Sequence, residues 1–162
     1  MVDDIVRDFG YLTLGSRLKR IGERLQSDVT KLSARLGLDV QAGQYPLVAA
    51  LHRNGPTSVG MLARFVGVRQ PAITRAVLQL KAAGLVTVTS GAADQRTKAV
   101  ALTPAGHDLV VRAEVELWPA VEAAVKALCE GLDGPLLAQL GSLEDALGDA
   151  PLDERAAALI NP

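Results

Sequence analysis

The chain is poor in the side chains that build metal and redox sites. A single cysteine, Cys129, excludes an intramolecular disulfide framework and any cysteine-rich zinc cage. The only two histidines, His52 and His107, lie far apart in sequence, so a metal site would have to lean on carboxylates, and neither a metal nor a cofactor is expected. Aromatic residues make up 3% of the chain. Tyr11, Tyr45, His52 and Trp118 are therefore the few polar-tipped rings available to line a small-molecule pocket, and core or interface packing competes for each of them. No apolar run approaches the ~20 residues that cross a bilayer. The opening MVDDIVRDFG places acids where a secretory leader has bases, which leads to the expectation of a cytoplasmic protein without a membrane partner. A Gly-rich phosphate loop, a serine elbow and an acid–base cluster are all missing from the sequence, so catalysis finds no support.

What is present is unevenly distributed. The 162 residues give room for one domain, with a formal net charge of −1 and globular proportions of 49% hydrophobic and 22% charged residues. Divided along the chain, the charge is +1 over residues 1–51, +6 over 52–112 and −8 over 113–162. A basic middle between near-neutral and acidic ends indicates that the middle meets a polyanion.

Apolar residues recurring at steps of three and four from Ile5 to Leu36 predict one long amphipathic helix from Asp4, and Gln44 to Arg53 predict a shorter one. In TSVGMLARFVGVRQPAITRAVLQLKAAGLV, the spacing predicts two helices around a turn at Gly67, a helix-turn-helix. The first is capped by Thr57 or Ser58 and buries Met61, Leu62, Phe65 and Val66. The second starts near Arg69, accepts Pro71 in its first turn, buries Ile73, Val77 and Leu80, and stops at Gly84. Its other face carries Arg69, Gln70, Thr74, Arg75 and Gln79, which can bond base edges or phosphates, with Ala72 placed to touch a thymine methyl.

Leu85 to Thr89 and Ala99 to Leu102 read as two strands of a hairpin. The connection SGAADQRTK is longer than the roughly two to five residues a hairpin needs to turn. A helix-turn-helix followed by a hairpin is a winged-helix arrangement, and Arg96 and Lys98 then lie on the wing. Arg64 and Lys98 are phosphate candidates. Thr103 and Pro104 restart a long helix to about Glu130, with a kink or break expected near Leu117 and Trp118 because Pro119 removes a backbone hydrogen bond. A last helix carries Leu136, Leu140, Leu143 and Leu147.

Over roughly Leu38 to Gly106 this ordered set resembles the MarR (multiple antibiotic resistance) family of winged-helix transcription regulators. The resemblance is carried by ITRAVLQLKAAGLV, by Asp94 and Arg96 of DQR, and by ALTPAG. It implies a mainly α fold with a small β-hairpin, in which a winged helix-turn-helix region (38–103) is flanked by helical dimerisation segments (1–36 and 104–150) and a tail (151–162), all in one domain. It further implies a homodimeric DNA-binding repressor or activator, often released by a small ligand, with Arg96 in a minor groove and Asp94 orienting it. Two recognition helices related by a twofold axis would read a pseudopalindromic operator in double-stranded DNA. Two features depart from the family pattern: Thr87, Val88 and Thr89 stand where many members carry bases, and Gly91, Ala92 and Ala93 where many carry a proline and acids. The alternative is a winged-helix protein-interaction module without specific DNA binding.

Overall fold

A computed structural model describes residues 4–90 and 98–160. The chain divides into two compact units, one ending at Val121 and the other beginning at Glu122.

The first unit opens with α1 (Ile5–Asp8), a 3-10 turn (Gly10–Thr13) and α2 (Leu14–Arg35). The single helix expected from Asp4 to Leu36 is thus interrupted, because Gly10 takes a left-handed φ of 54°, which the apolar periodicity does not register. A second 3-10 turn (Ala42–Gln44) leads into α3 (Tyr45–Asn54), with Pro46 in its first turn. β1 (Thr57–Ser58), α4 (Val59–Val66) and α5 (Gln70–Ala82) follow, and then β2 (Val86–Ser90) and β3 (Lys98–Leu102). Ser58 caps α4 by accepting a hydrogen bond from the Met61 N–H, and Gly67 ends it at a φ of 70°. Met61 and Phe65 are 40% and 49% exposed, against the expectation that they are buried with Leu62; the core takes only Leu62 fully and Val66 in part.

β3 is the central strand of a three-stranded antiparallel sheet, pairing Val88 with Val100 on one side and Thr57 with Val100 on the other. The extra strand β1 is two residues long, too short for an alternation to be seen in the sequence. The core joins Leu47, Val48 and Leu51 of α3, Leu62, the Ile73–Val77–Leu80 stripe of α5, Val86 and Val100, which are all buried.

After the sheet come α6 (Pro104–Arg112), a π turn (Ala113–Leu117) and α7 (Trp118–Cys129). The expected irregularity before Pro119 is this π turn, in which the Trp118 N–H bonds the Ala113 carbonyl. A regular helix would set the proline ring against the Val115 carbonyl with no N–H to bond it, and widening the turn relieves that clash. In the C-terminal unit, the rest of α7 is followed by α8 (Leu136–Asp149) and α9 (Leu152–Ile160), so the segment read as a tail contains a helix. No helix among the described residues is long and apolar enough to cross a membrane.

Candidate nucleic-acid interface

The helix-turn-helix is α4, the turn at Gly67 and α5. Burial of Ile73, Val77 and Leu80 turns the opposite face of α5 outward, and Arg69, Gln70, Ala72, Thr74, Arg75 and Gln79 are all exposed there. Arg64, on α4, is exposed as well. The ion pairs found among the described residues, Lys19–Glu23, Arg20–Asp4, Lys31–Asp28 and Arg112–Glu116, leave Arg64, Arg69 and Arg75 out. Arg69 is the N-cap of α5, and its side chain gives no cap bond to the first N–H groups of the helix.

Two members of the exposed face have local partners. The Thr74 hydroxyl donates to the Gln70 carbonyl at 3.0 Å, which fixes its rotamer against the helix. Gln79 accepts a 2.8 Å hydrogen bond from the Gln44 amide, so its side chain is drawn toward the turn before α3. Leu78, 61% exposed on the same helix, and Lys81 in its last turn are residues that the sequence reading did not select. The signal for Leu78 was its position off the 73–77–80 stripe.

The root of the wing is tightly built. The Thr103 N–H donates to the Leu85 carbonyl at 3.0 Å and its hydroxyl to the Gly84 carbonyl at 2.7 Å, while the same hydroxyl caps α6 by accepting from the Gly106 N–H. The Thr-Pro-Ala-Gly run therefore anchors the hairpin to the end of α5. Lys98 opens β3, and Asp94 and Arg96 lie outside the described residues.

The four rings considered for a ligand pocket do not converge. Tyr11 is 94% exposed at the N-terminal end. Tyr45 and Trp118 meet edge to face with ring centres 6.2 Å apart. The Tyr45 hydroxyl is 2.6 Å from the Ser33 hydroxyl, which also donates to the Leu38 carbonyl, so the phenol is satisfied inside the fold. Burial pushes the Tyr45 phenol above the usual tyrosine range, with Ser33 and Arg112 opposing the shift. His52 lies instead against His107, the two Nδ1 atoms 3.3 Å apart, so the fold brings together two histidines that are distant in sequence. No third ligating side chain joins them among the described residues. Cys129 is half-buried and lines a cavity of about 570 Å³ in the C-terminal unit, together with Val125, Pro135 and Leu136.

Comparison with known proteins agrees with the winged-helix reading. The model of the MarR family matches residues 36–97. The transcriptional regulator MosR of M. tuberculosis, in complex with DNA, is 26% identical with a TM-score of 0.70, covering 86% of this chain and 98% of that one. A MarR-family transcriptional regulator from Silicibacter pomeroyi is 28% identical with a TM-score of 0.58, covering 90% and 96%. PcaV of Streptomyces coelicolor, in complex with its natural ligand, shares the fold at 19% identity and a TM-score of 0.67, covering 93% and 99%. Among curated proteins no match is found. The chain is thus similar to the MarR family over residues 36–97, and it shares its fold with solved transcriptional regulators, one of them of that family.

Proposed function

We propose that the protein is a homodimeric, sequence-specific DNA-binding transcriptional regulator, with α5 in the major groove and Arg96 of the wing in a minor groove. The observation that carries this reading is the face of α5, where Arg69, Gln70, Thr74 and Arg75 stand exposed on a helix held by its buried stripe. Arg and Gln there match the donor and acceptor pattern of base edges, and the segment around them is +6. An interaction module would have no use for these side chains together with a basic wing. The DNA complex of the MosR relative supports the same reading.

The N-terminal helices supply the dimer face. Ile5, Phe9, Leu12, Leu18, Ile21 and Leu25 are all at least 38% exposed, an apolar stripe that a single chain leaves in water. Pairing across a twofold axis would set two copies of α5 about 34 Å apart, one turn of DNA, on a pseudopalindrome. Repression, with release by a small-molecule effector, is the regulatory mode this reading carries, and the ligand-bound PcaV neighbour is consistent with it. Sedimentation of the protein with an operator duplex tests the assembly. Two chains per duplex are expected, and a stable monomer that binds one half-site at full affinity would overturn it.

A further inference from the structure

We infer that Gln44 is a positioning residue for the recognition helix: its hydrogen bond to Gln79 sets the rotation of α5 on the fold, and so the discrimination between base sequences. The inference rests on the reading of α5 as the DNA-reading element.

Gln44 and Ser33 are the buried polar side chains of the core region. Ser33 satisfies its own helix end, but Gln44 reaches across the fold. Its Oε1 accepts the Gln41 backbone N–H at 3.2 Å, which leaves Nε2 as the end that faces Gln79 Oε1 at 2.8 Å. A buried amide left without partners costs roughly 1–3 kcal/mol, so both ends being matched ties Gln79 to this geometry.

The other end of the connection is fixed to α2. The Ala42 N–H donates to the Thr30 hydroxyl at 3.0 Å, and that hydroxyl donates to the Gln26 carbonyl at 2.9 Å. A polar chain thus runs from α2, the helix of the proposed dimer face, through the 3-10 turn to the C-terminal half of α5.

Burial of Ile73, Val77 and Leu80 holds α5 against the core, but apolar contact is non-directional and fixes distance better than rotation about the helix axis. Gln79 lies one turn beyond Arg75, so a bond at Gln79 controls the direction in which Arg75 projects. The bond also borders a cavity of about 250 Å³ lined by Thr30, Gln41, Gln44 and Gln79, so the two amides are open to it on one side.

The test uses Gln79→Glu, the double variant Gln44→Glu with Gln79→Glu, and Gln44→Leu. The first keeps an acceptor for Gln44, the second sets two carboxylates against each other, and the third fills the space without a donor. Two quantities are read: the ratio of affinities for operator and shuffled duplex at one salt concentration, which cancels the general effect of added charge, and hydrogen exchange of α5 amides in the free protein. The double variant and Gln44→Leu should lose about tenfold or more of the wild-type ratio, the size of one base contact, and Gln79→Glu, which keeps the acceptor for Gln44, should lose less than either. Their α5 amides should also exchange faster.

Wild-type ratio and exchange in both Gln44→Leu and the double variant overturn the inference. An equal loss of ratio in Gln79→Glu and the double variant also overturns it, because Gln79 would then act on bases directly. If the wild-type protein itself fails to discriminate between duplexes, it is the DNA reading that fails, and the exchange measurement still decides whether Gln44 holds α5.

Discussion

Gly106 lies directly beneath the carbonyl of Leu85, so close that a Cβ on residue 106 would come within 2.1 Å of that oxygen. The helix start of α6 is thereby pressed onto the root of the wing, where Thr103 already bonds both Gly84 and Leu85. Only glycine permits the approach, and the obstruction is backbone that cannot turn aside. Gly106→Ala should destabilise the protein by about 1–3 kcal/mol, as overpacking does. Urea unfolding of the two proteins checks it, and an unchanged midpoint would show that the contact relaxes.

The Tyr45 hydroxyl gives a second test, this one of the core. Tyr45→Phe should cost about 0.5–1.5 kcal/mol at neutral pH by removing its bond to Ser33, while Ser33 keeps its bond to Leu38. Because the native phenol is raised, folding favours its protonated form. That contribution is intact below the ordinary tyrosine value near pH ~10 and is lost as pH rises toward the native value. The stability difference between wild type and Tyr45→Phe should therefore shrink in alkaline solution, as measured by denaturation at several pH values.

On DNA, Arg75→Ala and Gln70→Ala should each change base preference by about 1–3 kcal/mol at particular positions. Arg64→Ala should weaken all duplexes alike, as the loss of a phosphate contact does. Binding to single-base variants of the operator separates the two classes. Equal losses on operator and random duplex for Arg75→Ala and Gln70→Ala would reduce them to positioning contacts.

For the wing, Arg96→Ala should lower the salt slope of binding by about one unit, since one fewer counterion is released. Any sequence effect should appear at the outer flanks as a preference for A·T-rich steps, whose narrow minor groove attracts arginine. Asp94→Ala should give a milder form of the same loss. Titrations over a range of salt on A·T-rich and G·C-rich flanks read both effects.

Much of the winged region is legible in the sequence because its signals are local. Gly67 and Gly84 mark the ends of two helices, Ser58 and Thr103 cap theirs, and the 73–77–80 stripe defines which side of α5 faces out. Pro119 announces an irregular turn, though not that it would be a π turn. What stayed hidden depends on tertiary approach. Met61 and Phe65 follow the periodicity of a buried stripe but are left exposed among the described residues. The pairing of Gln44 with Gln79, across 35 residues, and the meeting of His52 with His107 leave no trace in spacing. The hairpin pattern likewise conceals β1, whose two residues pair with β3 from a distant part of the chain.

The most direct test of the central claim is selection from a pool of random duplexes at one fixed salt concentration. A dimer reading DNA through two copies of α5 should enrich a pseudopalindrome with half-sites centred about one helical turn apart, bound at least about a thousandfold more tightly than a shuffled duplex. Enrichment of no common sequence, with all duplexes bound alike and equally weakened by salt, would contradict it.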